Sequence, residues 1–402
     1  MRKLIKGNTY WDEVGEDFEL HPVEKDLDTD ILIIGAGMSG TLAAHVLSKE
    51  TSFKIAMVDA MEDVAMGSSR ANTGLLQVSS DTMLHEFIET IGEKKGRGFY
   101  RMCQEAMEDL ISLGKSLPGS TLRSRKSLYC ATQEADVEKI KKEYDALTEQ
   151  GMSVTYLEPE DVLNHYGVRC YGALLILGDA DVNPVVFIDQ LTKGNLSRGV
   201  KIYNKTEMDL DSATKNEIKT KTGHRIIFKH LIFATGYAKK FEEVEDLIQI
   251  NRTYAFTTKP VKEEPWPEEV MIWETKSPYL YLRTTQDQKI VVGGRDEEVD
   301  GLMDEKDHID KVFEKLKKDV DNLFVNPPKL NIDHRYNALF GTVKDGLPLM
   351  GRDPDVPNHY YILGYEGNGT CYSMAGAKII LNLLQEREDP YEEIVRLNRK
   401  RL

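Results

Sequence analysis

Residues 30–59 constrain this chain more than any other stretch. They read D-ILIIG-AGMSG-TLAAHVLSKE-TSF-KIAMVD. The apolar run at 31–34 is long enough for a buried strand and too short for a helix. Gly35, Gly37 and Gly40 follow as G-x-G-x-x-G, then helical composition at 41–49, then a second apolar strand at 54–58 that ends at Asp59. Gly35 permits a tight turn, Gly37 lets a pyrophosphate approach the backbone, and Gly40 lets helix and strand pack closely. The helix N-terminus offers free N–H groups and a partial positive charge to phosphates. Asp59 lies nineteen residues after Gly40, where a carboxylate can accept from both hydroxyls of an adenosine ribose. A bare glycine motif is weak evidence, but strand, turn, helix, strand and acid in this order predict a dinucleotide site. Ala60, Met61 and Glu62 supply no arginine for a 2′-phosphate, which disfavours NADP. The motif alone does not separate NAD from FAD.

The 402 residues suffice for two domains and a large core. A net charge of −15 argues against nucleic acid or an anionic membrane as the main partner. The four cysteines, at 103, 130, 170 and 371, form no C-x-x-C and read as small buried apolar residues of a reducing compartment. The longest mildly apolar stretch, 31–47, contains three glycines, Ser39 and His45. It falls short of the ~20 apolar residues of a membrane span. Residues 1–22 lack an apolar signal core. The expectation is a cytoplasmic protein with no integral membrane segment.

Along the chain, residues 1–29 read as an arm laid over the body, anchored by Trp11. The loop 67–74, GSSRANTG, is rich in small polar residues and backbone donors; a flavin and phosphate contact and a plain surface loop fit it equally. Apolar spacing at 83–117 predicts two helices, the first ending near Gly96 or Gly98. Strands are expected at 127–131, 154–157 and 172–181, and helices at 134–150 and from Pro159. Asn183-Pro184 caps another helix that runs to about 198. A hairpin is expected around Thr222-Gly223, and a buried strand at 231–233 ends in the small-residue turn Ala234-Thr235-Gly236. From 251 the texture changes to aromatic and β-branched runs with period-two alternation, at 254–258, 270–273, 279–283 and 289–292, which suggests an antiparallel sheet. A helix at 308–323, strands at 332–340 and 360–363 and a helix at 371–384 complete the reading.

This order of pieces resembles the FAD-dependent D-amino-acid oxidase superfamily, the group that includes glycine oxidase, sarcosine oxidase and gamma-glutamylputrescine oxidase. The residues that carry it are IIGAGMSG, GSSRANTGLL, LIFATG at 231–236, DGLPLMG at 345–351 and GYEGNG at 364–369 before the last helix. The NTYW arm also looks like the start of some bacterial relatives in which a Rieske domain follows, although this chain carries no Cys/His ligand pairs. The resemblance implies an α/β fold: a Rossmann-type FAD-binding domain of residues 1–80, 151–250 and 335–402, and an α+β substrate domain of 81–150 and 251–334 built on an antiparallel sheet. It implies cofactor contacts at Gly35, Gly37, Met38, Ser39, Gly40, Asp59, Ala60, Ser68, Ser69, Arg70, Asn72, Thr73, Gly74, Ala234, Thr235, Gly236, Gly367, Asn368, Gly369 and Thr370. The helix after GYEGNG is where family members stabilise the electron-rich end of reduced flavin. Ala338 falls where sarcosine oxidases have a covalent cysteine, and no histidine precedes Gly74 in Arg70-Ala71-Asn72. Non-covalent FAD is therefore expected.

The family mechanism implies hydride transfer from a substrate C–H to flavin N5, with oxygen or another electron acceptor reoxidising the flavin. The protein then supplies orientation and electrostatics. No metal site is expected, and isolated histidines such as His334 read as structural. Pocket candidates for a small-molecule substrate are Tyr254, Tyr279, Tyr281, Arg283, Phe340 and Tyr365; an arginine could hold a carboxylate in bidentate fashion. Phe340 stands where glycine oxidase has its carboxylate-binding arginine, and Val291 where sarcosine oxidase-like enzymes have an oxygen-activating lysine. Three functions follow: oxidation of a C–N bond of an amine or amino-acid derivative, a 2-hydroxy acid or glycerol-3-phosphate type dehydrogenase, or a non-catalytic flavin-binding protein.

Overall fold

Four consecutive aliphatic residues, Ile31–Ile34, make sense only where both faces of a strand are covered. The computed structural model, which describes residues 3–237, 247–299, 301–363 and 366–399, places this strand inside a six-stranded sheet. The order is Leu349–Arg352, His359–Leu363, His230–Phe233, Ile31–Ile34, Ile55–Val58, Lys201–Tyr203. All neighbours are parallel except the first pair. Ile31 and Ile33 enter one core, Leu32 and Ile34 the other. The first core lies under the helices Met38–Glu50 and Gly369–Leu384, which touch through Ser39 Oγ and Ser373 Oγ at 3.0 Å. The second lies under a small sheet whose hairpin, Glu217–Thr220 with Arg225–Ile227, closes at Thr222-Gly223 as expected.

The aromatic strands form a second, ten-stranded sheet. Ile332–Val343 pairs with Ile248–Thr258, which pairs with Ile290–Glu297, then Tyr281–Thr284, then Met271–Glu274, each antiparallel. Met271–Glu274 then runs parallel to Arg123–Cys130, and Ala173–Asp181 follows antiparallel. Val154–Leu157 and Ala173–Asp181 hydrogen-bond to each other within this sheet. One face is covered by the helix Lys306–Leu323 through Val312, Phe313, Leu316 and Val320, which meet Tyr254, Phe256, Leu282 and Val292. The opposite face looks towards the parallel sheet.

Two expectations need correction. The arm contains a strand, Ile5–Asn8, that pairs with Ile332–Val343. Trp11 does anchor it, 2% exposed, with Nε1 donating to the Asn72 carbonyl at 2.9 Å. The first of the paired helices ends at Ile91 rather than near Gly96 or Gly98, because Gly92 takes φ 87° and turns the chain there. Gly96 and Gly98 lie inside the next helix, Glu93–Ser116. At Gly96 a Cβ would sit 3.0 Å from Ile88 N, so the glycine allows the two helices to cross closely.

Gly40 shows how tightly the opening unit is built. A Cβ there would meet the Gly35 carbonyl oxygen at 1.8 Å, whereas one at Gly67 would meet nothing within 4 Å. Gly40→Ala is therefore expected to lower stability by about 2 kcal/mol or more, and Gly67→Ala by less than about 0.5 kcal/mol. Thermal unfolding of the two variants checks this, and equal melting temperatures would contradict it.

Candidate functional site

Parallel strands leave their C-terminal ends along one edge, and the turns that follow build the site there. Gly35 follows Ile34 at φ 114°, its N–H held by the Val58 carbonyl at 2.8 Å; a Cβ on it would lie 2.3 Å from the Ala234 oxygen. The turn after Phe233 and the glycine turn therefore touch. A cavity of about 630 Å³ starts here. Gly35, Gly37, Met38, Ser39, Asp59, Ala60, Ser68, Ser69, Asn72, Thr73, Ala234, Thr235 and Gly236 line it, and it runs on to Gly367, Asn368, Gly369 and Thr370. The two ends that the sequence marks separately thus share one space.

Asp59 stands at the first end. Its carboxylate accepts from Ala36 N at 2.7 Å and Met61 N at 2.8 Å, and enclosure raises its pKa against the pull of those N–H groups. Ser69 Oγ accepts from Met38 N at 2.9 Å, which ties the 67–74 loop to the glycine turn. Asn72 Nδ2 reaches Thr370 Oγ1 at 3.4 Å, and Asn368 holds the backbone of Gln77 and Ser79, so the same loop also meets the closing helix. A Cβ at Gly37 would meet only Ser69 Oγ, at 2.9 Å; this glycine presents backbone to the cavity. The side-chain atoms Gln77 Nε2, Ser79 Oγ and Thr235 Oγ1 are buried in the wall with no hydrogen-bond partner. Backbone amides, hydroxyls and amides of this kind suit a pyrophosphate and a flavin ring rather than a metal. Among the described residues no group of His, Cys, Asp and Glu could hold a metal ion.

The far end is aromatic and acidic. Trp273, Tyr279, Tyr281 and Phe340 line it with Asp81, Asp296 and Glu366. Asp81 is open to the cavity interior but enclosed by protein; it accepts from Gly367 N at 2.7 Å and the Tyr279 hydroxyl at 3.1 Å. Burial raises its pKa against those two bonds. Glu366 is raised well above the usual carboxylate range, by burial first and the Asp81 charge second, and it accepts from Val343 N.

Four expected contacts are placed elsewhere. Gly40 supports the glycine turn from behind. Arg70 turns to Asp12, 3.1 Å away, on the N-terminal arm. Gly74, at φ 80°, makes room for the Val182 oxygen and the Arg283 guanidinium, each of which a Cβ would strike. Tyr254 alternates with Thr253 along one strand: Thr253 faces the cavity, so Tyr254 faces the opposite core beside Phe313 and Glu297. Tyr365 lies outside the described residues. Arg283 is also no pocket residue. It is 2% exposed and donates to the carbonyls of Thr73, Val182 and Thr284 at 2.7–2.9 Å, with Asp181 3.7 Å away. Burial pulls its pKa down to about 10 despite the Asp181 charge. Tyr279, Tyr281 and Phe340 do reach the wall, as does Ala338, while Val291 is buried in a core.

The wall also holds residues that sequence reasoning missed. Gln77, Ser79 and Asp81 alternate just past the 67–74 loop, a spacing that could have been read. Trp273 sat inside an expected strand. Asp296 is delivered by a bulge: Arg252 pairs with Glu297 and Tyr254 with Gly294, so Thr253 faces both Arg295 and Asp296. Gly293-Gly294 was the available signal.

The model of the family described as DAO, FAD dependent oxidoreductase, matches residues 30–383. The chain belongs to this family. The protein YhfW of Bacillus subtilis (strain 168), whose name marks it as a Rieske 2Fe-2S iron–sulfur protein, is 24% identical over 398 residues, 96% of this chain and 74% of that protein. Gamma-glutamylputrescine oxidoreductase of Escherichia coli (strain K12) is 23% identical over 402 residues, covering 93% of this chain and 88% of the relative. The crystal structure of glycine oxidase from Geobacillus kaustophilus superposes with a TM-score of 0.78 at 16% identity, over 93% of this chain and 99% of the other. The family membership makes this chain an FAD-dependent oxidoreductase and FAD its cofactor. The cavity's donors, glycine cradle and unpartnered polar atoms fit that group.

The DAO fold here depends on Arg283 tying three segments together. Arg283→Met is expected to leave the Thr73 and Val182 carbonyls without their side-chain donor, Thr284 O keeping Arg123 Nη2 at 3.0 Å, and to cost about 3 kcal/mol, with loss of bound FAD. Arg283→Lys rescues little, since one ammonium cannot copy the guanidinium fork. Chemical denaturation and flavin content check this; a stable Arg283→Lys protein altered only in substrate KM would return Arg283 to the pocket.

Proposed function

We propose that this protein oxidises a C–N bond of an amine or amino-acid derivative, the substrate lying against Trp273, Tyr279 and Tyr281 and the adenine end of FAD at Asp59. The observation that carries the reading is the single cavity joining the Gly35–Asp59 turn to the Gly367–Thr370 turn and ending in that aromatic wall. Bound FAD supplies the hydride acceptor at its N5, with oxygen or another acceptor completing the cycle. The pyrophosphate would lie along the backbone of Gly37 and the N-terminus of the helix Met38–Glu50, with Ser68, Ser69 and Asn72 beside it, while the Gly35 and Met38 N–H groups, held by Val58 O and Ser69 Oγ, keep that turn in shape. Gly369 and Thr370, opening a sixteen-residue helix, set its positive end towards the flavin ring. The protein's own residues exclude water from the far end and orient the substrate nitrogen. The name of the Escherichia coli relative supports an amine class.

Lys3 is the only basic residue among the described residues that line the cavity. A hydroxy acid or a phosphate ester would need a cation at the reacting end, so this favours an amine over those substrates. The two-part organisation belongs to the same proposal: a flavin part on the parallel sheet and a substrate part on the large one, with bounds that differ from the expected ones, because Val154–Leu157, Ala173–Asp181 and residues 335–343, expected in the flavin domain, pair within the large sheet. So do non-covalent attachment, with Ala338 at the wall in place of a nucleophile, and a cytoplasmic setting for the four free cysteines. Among the described residues no helix is long and apolar enough to cross a membrane.

Anaerobic mixing of the holoprotein with amines, amino acids and hydroxy acids is expected to bleach the flavin band with amines. Bleaching by hydroxy acids alone, or by nothing, would contradict the proposal. Acid precipitation is expected to release the yellow colour into the supernatant; colour retained in the unfolded pellet would show a covalent bond.

A further inference from the structure

The far end of the cavity carries an unbalanced charge. Asp81, Asp296 and Glu366 line it, and no arginine or lysine among the described residues faces them there. Glu366 is engaged with Val343 N, and both Asp81 oxygens accept hydrogen bonds. Asp296 is different. The residue lines the cavity, and its buried Oδ1 has no hydrogen-bond partner. Its neighbours on the strand turn away, Arg295 to Asp319 at 2.6–2.7 Å and Glu297 to Arg252. Arg295 takes φ 60° at the bulge that aims Asp296 inward. Two further side chains in the same wall, Trp273 at 4% exposure and Ser79 at 5%, leave Nε1 and Oγ without partners. Trp273 lies 6.4 Å from Tyr279, and Tyr279 lies 5.6 Å from Tyr281, ring to ring.

We infer that Asp296, framed by Trp273, Tyr279 and Tyr281, is a recognition site for an alkylammonium group of the substrate, which carries no carboxylate at its reacting carbon. Aromatic faces beside a carboxylate attract a desolvated cation, and a substrate carboxylate would meet three acids and no guanidinium. The inference rests on the amine reading and narrows its substrate class. Asp296 is a positioning residue here, acting on the charge rather than on the bond that breaks.

The groups that face Asp296 are Thr253, whose hydroxyl lowers its pKa, and Asp81, Tyr279 and Tyr281. Burial first, and the Asp81 charge after it, push Asp296 up to about 7. It is thus largely neutral below that pH and charged above it, so cation binding strengthens as pH rises.

The test is a calorimetric titration of the holoprotein with tetramethylammonium, which cannot be oxidised at a neutral nitrogen, and with acetate as the anion control. Tetramethylammonium is expected to bind, roughly tenfold more tightly at about pH 8 than at about pH 6, and acetate is not. Asp296→Asn, nearly isosteric, is expected to weaken binding at least about tenfold and flatten the pH profile with flavin content unchanged; Trp273→Phe weakens it severalfold. Acetate binding better than the cation, or an Asp296→Asn protein that binds it unchanged, overturns the inference. Should that variant misfold, the cation-against-anion comparison in the native protein still decides. Because the readout is binding, it stands apart from the bleaching experiment: amine oxidation without cation binding removes this inference alone.

Discussion

The contact between Gly35 and the Ala234 carbonyl is the constraint on which the rest depends. It exists because Ile31–Ile34 and His230–Phe233 are parallel neighbours in register, Ile34 beside Phe233. His359–Leu363 lies on the far side of His230–Phe233 in the same direction. Three strands therefore deliver their C-terminal turns to one edge, and the helices Met38–Glu50 and Gly369–Leu384 start there side by side. A dinucleotide needs one helix N-terminus for its phosphates and a second positive end for its ring. Sheet order, rather than any one residue, brings the two together.

The large sheet closes the space from the opposite side, and its alternation decides which side chains enter. Thr253 faces the cavity and Tyr254 the helix Lys306–Leu323, although both sit in one aromatic run. Arg283 shows the same logic in another form. A guanidinium that completes three carbonyls and lies near Asp181 is a clamp between the 67–74 loop, the end of Ala173–Asp181 and the sheet itself. Gly74 exists to admit it.

The parallel half of the fold was legible because its signals are local. Continuous aliphatic runs, a glycine turn and an acid at fixed spacing need no tertiary knowledge, and Asn183 caps its helix by accepting from Val185 N and Val186 N as its type suggests. The arm's edge strand was hidden because Ile5–Asn8 becomes a strand only by pairing with Ile332–Val343, far along the chain. The helix end was misplaced because three glycines stood close together and only Gly92 takes the left-handed turn. Asp296 was hidden because a bulge shifts the phase of alternation, and period-two reading then assigns the wrong face. Arg283 could not be assigned from its type, since pocket and clamp ask for the same guanidinium.

One continuous cavity runs from the Gly35–Asp59 turn to an acidic aromatic end. The most direct measurement is the electron density of the FAD-bound protein in a crystal. The adenosine ribose is expected at Asp59, the pyrophosphate along Gly35–Ser39, and the flavin ring between Thr370 and the wall of Trp273, Tyr279 and Tyr281. A ring lying outside that wall, or an adenine end away from Asp59, would contradict this placement.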